Sequence, residues 1–186
     1  MASPNEIKKG VVLLHNNDPW VVTEFQHINP GKGAAFVRCR IKNVRTGNTL
    51  EQTYKVSESV TFVDVEHKTM QYLYHDDSGF HFMDPESYEQ HSMREDQLGD
   101  SAKYLQDGMN VILSFYEGKP IAMSLPKKMT FKIVETEPAT KGDTAGGNVT
   151  KEAKVEQGFT IRVPIFINQG EEVIVNTDTG EYVERA

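Results

Sequence analysis

The chain reads as an all-β protein made of three small β-barrels in series, and two features of its sequence predict this. Short runs rich in branched and aromatic residues alternate with tight-turn sequences such as Asn16-Asn17-Asp18-Pro19, Asp76-Asp77-Ser78-Gly79 and Asp178-Thr179-Gly180. Two of those turns, Asp77-Ser78-Gly79 and Asp178-Thr179-Gly180, sit in similar strand-turn-strand settings, which hints at two related barrels. Charge is also unevenly divided. The formal net charge of −7 resolves into 8 basic against 5 acidic residues over 1–63, 4 against 12 over 64–126, and 8 against 10 over 127–186. Domain boundaries are drawn at those positions.

Taken in order, the first domain begins with a strand over Val11–Leu14, a turn at Asn16-Asn17-Asp18-Pro19 and a strand over Trp20–Ile28. Asn29-Pro30-Gly31-Lys32-Gly33 then turns the chain into a strand over Ala34–Val44, which ends at Arg45-Thr46-Gly47-Asn48. Along that strand Ala35, Val37, Cys39 and Ile41 alternate with Arg38, Arg40 and Lys42, so one face is core and the other is basic. Trp20 and Phe25 read as core or interdomain packing residues.

Residues 60–75 form one long β-prone run leading into the second domain, and Phe80–Met83 returns from the Asp76–Gly79 turn until Asp84-Pro85 breaks it. Helical residues appear from about Ser92 to Leu105, with Asp100 as a candidate cap. Val111–Leu125 reads as a hairpin around Glu117-Gly118-Lys119-Pro120. The third domain contains strands over Met129–Glu135 and Phe159–Asn168, a loop over Ala139–Thr150, and a final hairpin. The last two domains fit oligonucleotide/oligosaccharide-binding (OB) folds by strand count and turn spacing.

Composition excludes several classes. No run of eighteen apolar residues occurs and the N-terminus lacks the parts of a secretory signal, so the reading is of a soluble, cytoplasmic protein without a membrane partner. Cys39 is the only cysteine, which excludes an internal disulfide and a multi-thiolate metal site and reads as a small core residue. Net acidity argues against nucleic-acid binding by the chain as a whole, yet the first third is basic. His75 and His81 flank the Asp76-Asp77 turn and could face each other beside a carboxylate, a minimal metal arrangement; surface histidines explain them as well, and no metal or cofactor is assigned.

The feature that stands out chemically is Pro30-Gly31-Lys32-Gly33. Glycine on both sides of a lysine leaves one long cationic side chain on an otherwise bare backbone, a shape that fits a narrow slot and permits close approach of another macromolecule. A covalent role for Lys32 would need burial or a neighbouring cation to depress its pKa from about 10.4, and flanking glycines supply neither. No nucleophile elbow, phosphate loop or zinc-protease motif is present, so an enzyme is not expected.

The segment Lys151–Gly170, with Lys, Ala, Gly, a branched residue, Val163-Pro164, another branched residue and Gly in order, resembles the signature of the bacterial elongation factor P family, relatives of the eukaryotic and archaeal initiation factor five A. Pro30-Gly31-Lys32-Gly33 resembles that family's functional loop. Tyr72-Leu73-Tyr74, Gly142-Asp143-Thr144 and Gly180-Glu181-Tyr182-Val183 resemble further family segments. The resemblance implies a monomeric, tRNA-shaped molecule with an SH3-like N-terminal barrel followed by two OB barrels. It implies binding to the 70S ribosome between the peptidyl-tRNA and exit sites, where Lys32 steadies the peptidyl-tRNA acceptor end and relieves stalling at consecutive prolines.

By the same resemblance Lys32 is the position lengthened after translation, with β-lysyl transfer by an enzyme resembling a lysyl-tRNA synthetase. Gly33-Ala34-Ala35-Phe36 resembles the β-lysylated branch more than the branch with a proline-rich loop, and lysine rather than arginine at the tip excludes rhamnosylation. Gly142, Asp143 and Thr144 are expected at exit-site mRNA, Tyr182 and Arg185 at ribosomal RNA or tRNA, and Arg38, Arg40 and Lys42 at RNA phosphates. Two other readings stand beside it: a tandem-OB protein for single-stranded RNA, weakened by the acidity of 64–126, and an enzyme using Lys32 as a covalent nucleophile. A family paralogue with a narrower role is a further alternative.

Overall fold

The computed structural model describes residues 2–138 and 149–186, so Gly142, Asp143 and Thr144 lie outside the described residues. Two compact units divide the chain: Met1–Leu98 with Asn110–Ser124, and Gly99–Met109 with Leu125–Ala186.

The first unit holds two antiparallel five-stranded sheets. In the first, β1 (Val12–His15), β2 (Asp18–Ile28), β3 (Phe36–Asn43), β4 (Thr49–Lys55) and β5 (Phe62–Val63) are ordered β4-β3-β2-β1-β5. The β1–β2 connection is tighter than the four-residue turn predicted. Asn16 and Asn17 both take positive φ, 51° and 63°, and form a two-residue hairpin turn whose twist matches the strands. Asp18 and Pro19 are therefore already in β2, opposite His15 and Leu14. The alternation read from β3 is present: Val37, Cys39 and Ile41 are buried with Ile7, Leu13, Trp20 and Val22, while Arg38 and Arg40 point outward. Each of these fully enclosed aliphatic side chains contributes about 1.5–3 kcal/mol of hydrophobic stabilisation. Cys39 is a core residue, and burial pushes its thiol pKa up to about 11. Phe25 does not follow Trp20 inward; it is 41% exposed, with its ring edge-on to His27.

The second sheet runs β10-β9-β6-β7-β8, from β6 (Glu66–Asp76), β7 (Gly79–Met83), β8 (Gln90–Met93), β9 (Asn110–Tyr116) and β10 (Lys119–Ser124). The single run expected over 60–75 is two strands. β5 pairs with β1 in the first sheet, and after Asp64-Val65 the chain enters the second sheet as β6. Intrinsic β-propensity does not distinguish one long strand from two short ones in different sheets.

The helix expected from Ser92 is also displaced. Ser92 and Met93 belong to β8, with Met93 buried opposite Phe80, and only Glu95–Leu98 (α1) is α-helical. Gly99 leaves the helix at φ 57°, and a 3-10 stretch over Gly99–Tyr104 follows, in which Asp100 makes no capping hydrogen bond among the described residues.

The second unit contains the third sheet, ordered β13-β12-β11-β14-β15, from β11 (Lys128–Thr136), β12 (Thr150–Val155), β13 (Thr160–Pro164), β14 (Glu172–Asn176) and β15 (Tyr182–Arg185). β12 was not anticipated, because only Ala153 and Val155 mark its apolar face between charged residues. Pro164 ends β13, so the predicted strand through Asn168 stops early and Ile167 enters the core from a turn. Tyr104, from the 3-10 stretch, lies in this core against Phe131 and Phe159. The acidic middle third thus lends an aromatic side chain to the last sheet.

Within the first unit the two sheets meet over Val12, Val21 and Ile121, flanked by Val44, Val63, Val65, Tyr116 and Ala122. Polar contacts rim this patch. Lys42 Nζ donates to Asp96 Oδ2 at 2.6 Å and to the Asp96 carbonyl at 3.1 Å, and Arg45 reaches Asp18 at 3.5 Å and Glu117 at 3.9 Å. Arg94, bonding Asp96 Oδ1 at 2.9 Å, and then Lys42 hold the Asp96 carboxyl down to about 2.

A folded-state pKa below the unfolded value gives stability that is present above the unfolded pKa and is lost as pH falls through the folded one. Thermal unfolding of the parent and of Asp96→Asn should therefore differ modestly at pH 6, and the difference should close between about pH 4 and about pH 2. A gap constant down to pH 2 contradicts the pairing. A second expectation concerns Gly79, which opens β7 at φ 135°; a Cβ there would lie 2.5 Å from the Met93 carbonyl oxygen. Gly79→Ala should destabilise the protein by roughly 2 kcal/mol or more in chemical denaturation, because strain and backbone collision act together.

Candidate functional site: a cationic arm tip

The site starts from the pairing of β2 with β3, which runs in register from Trp20↔Asn43 to Ile28↔Phe36 and is interrupted by a bulge at Thr23, between Val22 and Glu24. Thr23 is the extra residue, and its hydroxyl donates to the Arg40 carbonyl at 3.1 Å. The bulge marks a change of environment. Pro19 to Val22 are buried, whereas Glu24 to His27 are exposed although they remain in the strand. From this point β2 turns its side chains to solvent while β3 keeps Cys39 and Val37 in the core, and the paired strands run on as an arm, supported on the other side by β4 through Phe36↔Lys55, with the Val56 N–H donating to the Ala35 carbonyl at 3.0 Å.

Residues 29–35 close the arm, and 29 to 34 are all exposed. Lys32 lies near the middle of this loop and has no hydrogen bond or ion pair among the described residues. The two flanking glycines are not equivalent. Gly33 takes φ 110°, a conformation that disfavours side chains, and an added Cβ would come 3.8 Å from the Pro30 ring. Gly31 has neither positive φ nor any atom within 4 Å of an added Cβ, so it keeps the surroundings of Lys32 empty without being required by the turn.

The three basic residues of β3 share a face and differ in state. Arg38 lies between Gln26 and Thr53 in register, has no ion pair among the described residues, and is an exposed cation. Arg40 lies between Glu24 and Glu51, and its guanidinium bonds both carboxylates at 3.2 Å, a cross-strand staple of three strands. Lys42, with its side chain only 14% exposed, is held by Asp96. The expected basic stripe is therefore one free cation and two engaged ones. Glu24, Glu51 and Asp96 are partners that alternation within a single strand does not reveal, because they come from other elements.

In the second unit Tyr182 packs partly buried against the core around Phe131. Arg185 bonds Glu171 at 3.0 Å and the Phe166 carbonyl at 3.3 Å, with its guanidinium 5.1 Å above the Phe166 ring. Phe166 is itself 55% exposed, so arginine and ring form one surface feature.

His75 and His81 do not face each other. A register shift at Leu73 sets His81 opposite Tyr74 and His75 opposite Phe80, and each imidazole stacks on its partner. Asp76 Oδ1 accepts from the Ser78 hydroxyl and lies 2.9 Å from His81 Nε2; these two contacts, the hydroxyl foremost, hold its carboxyl below the usual carboxylate range. Among the described residues no group of three or more His, Cys, Asp or Glu is placed to hold a metal, and no helix is long and apolar enough to cross a membrane.

Comparison with known proteins bears on the whole chain. The family model described as "Elongation factor P (EF-P) KOW-like domain" matches residues 3–60, "Elongation factor P (EF-P) OB domain" matches 65–123, and "Elongation factor P, C-terminal" matches 129–185. Elongation factor P of Moorella thermoacetica is 47% identical over 186 residues, covering 100% of both chains, and that of Desulfitobacterium hafniense (strain DSM 10664 / DCB-2) is 46% identical over the same span. The solved structure of Eukaryotic translation initiation factor 5A from Methanococcus jannaschii aligns with 66% of this chain and 90% of its own at a TM-score of 0.40 and 18% identity. Three consecutive domain matches and near half identity from end to end show that the chain belongs to the elongation factor P family.

Proposed function

We propose that this protein acts on the ribosome, binding between the peptidyl-tRNA and exit sites and relieving arrest at consecutive prolines by steadying peptidyl-tRNA with Lys32. The observation that carries the reading is an exposed lysine, without a partner among the described residues, at the end of a paired-strand arm, in a chain whose family is a translation-factor family. Proline has a fixed φ and a secondary amine, so peptide transfer between prolines is limited by geometry. A cation presented to the acceptor end lowers that barrier by ordering the reactants, while the ribosome performs the bond chemistry. Such a protein works in the cytoplasm, where ribosomes are.

Lengthening of Lys32 by a β-lysyl group, added by an enzyme resembling a lysyl-tRNA synthetase, extends the same reach. The exposed loop and the absence of any partner for the ammonium group among the described residues support accessibility to such an enzyme. Arg38 is the best-supported RNA-phosphate contact on the arm, because Arg40 and Lys42 already have carboxylate partners. The Arg185–Phe166 pair offers stacking and charge together, with Tyr182 nearby in β15. Gly142, Asp143 and Thr144 are assigned to exit-site mRNA on the family resemblance alone.

In a reconstituted translation system, Lys32→Ala should lower the rate of polyproline read-through, relative to the parent, by on the order of tenfold, with control templates unaffected. Full activity of the variant would overturn the assignment. Gly33→Ala and Gly31→Ala separate the two glycines: the first forces a side chain into φ 110° and should impair read-through, and the second should impair it less. Equal losses would mean that steric clearance around Lys32, rather than backbone conformation, sets the requirement.

A further inference from the structure

An arm delivers its tip to one place only if its root is fixed against rotation. Val37, Cys39 and Ile41 fix β3 in the core of the first sheet, so the direction of the Lys32 loop is that of the whole sheet against its neighbour, and the end of β3 away from the loop carries Lys42. Arg38 and Lys42 lie on the same face of that strand, yet Arg38 projects into solvent while the ammonium group of Lys42 contacts two oxygens of a single residue, the carboxylate and the carbonyl of Asp96. Asp96 is itself oriented by Arg94, which bonds the other carboxylate oxygen. The acceptor is thus held before the two meet.

Beneath this contact the two sheets touch through Val12, Val21 and Ile121. Apolar contact resists separation but is non-directional, so it leaves small rotations weakly opposed. The Lys42–Asp96 pair at its edge is directional. The other polar link across this edge, Arg45 to Glu117, is longer at 3.9 Å.

We propose that Lys42 and Asp96 form a pivot lock for the arm: positioning residues that fix the direction in which Lys32 is presented, rather than groups that meet RNA themselves. The inference rests on the reading of Lys32 given above. The mechanical argument is one of leverage. Six residue steps from Lys42 to Phe36 span roughly 20 Å at the usual strand rise, so a rotation of about ten degrees at the pivot moves the start of the Lys32 loop by about 3.5 Å. Misplacement of about 1 Å is enough to cost on the order of a hundredfold where catalysis works by positioning. With Asp96 54% exposed the pair adds only modestly to stability, so loss of the lock should be felt in direction more than in folding.

The test uses the full-length protein with nitroxide labels at Lys55→Cys, on β4 beside the end of the arm, and Ser92→Cys, on β8 of the second sheet; the native Cys39 is buried and stays unlabelled. Distance distributions between the labels are measured for the parent, Lys42→Met, Asp96→Asn and the double variant, beside polyproline read-through by the same four unlabelled proteins. The expected result is a broadened distribution and a loss of read-through of about threefold or more in each single variant, with the double variant no worse than either.

If Lys42 instead contacts RNA phosphate, Asp96→Asn will read through as well as the parent or better while Lys42→Met is impaired, and the proposal is overturned. Unchanged distance distributions in both single variants overturn it equally. Should the parent itself fail to relieve polyproline arrest, the functional reading falls and the distance distributions alone decide whether the pivot exists.

Discussion

The structure depends on the continuity of one hydrogen-bonded pairing, that of β2 with β3, across the boundary between core and solvent. Its inner half is anchored by buried side chains of both strands, Trp20, Val22 and Ile41, and its outer half by β3 alone, through Cys39 and Val37. The backbone ladder, extended to a third strand by β4, adds to that one-sided anchorage. A two-stranded ribbon alone is marginal in water, and a third strand gives the stiffness that burial elsewhere provides. The bulge at Thr23 lets β2 turn outward without ending the ladder.

Charge in this protein is arranged by what each cation is free to do. Arg40 is shared between two glutamates, Lys42 is tied to Asp96, and Arg185 is held by Glu171 over an aromatic ring. Lys32 and Arg38 carry no such partner among the described residues. On the paired strands that carry the loop, Lys32 and Arg38 are the exposed cations free of a carboxylate among the described residues, while Arg40 and Lys42 serve the protein's own geometry. This resolves the tension between a formal charge of −7 and an RNA-rich environment: contact with phosphate depends on where unpaired cations sit, not on the total.

The two compact units also show how a chain of modest length stabilises small sheets. The third sheet by itself offers a narrow core around Phe131, Ile133, Val163 and Val173, and the 3-10 stretch from Gly99 to Tyr104 adds a large aromatic side chain to it. Small β-domains gain from such borrowed burial because their ratio of surface to volume leaves little apolar area to enclose.

The sequence by itself determined the all-β class, most turns, the inward and outward faces of β3 and the prominence of Lys32, because these follow from local rules: period-two alternation, turn chemistry and the steric freedom of glycine. The family resemblance was legible too, as the likeness of Lys151–Gly170 to a known signature rather than through those rules. Tertiary structure alone decided that the run from 60 to 75 is divided between two sheets, that Ser92 and Met93 form an edge strand, and that Phe25 is exposed while Tyr104 is buried in another sheet's core. It alone decided which basic residues of β3 are free. Whether a lysine is a solvated cation or a structural tether depends on a carboxylate more than fifty residues away in the chain, and register between distant strands is not encoded in any one of them.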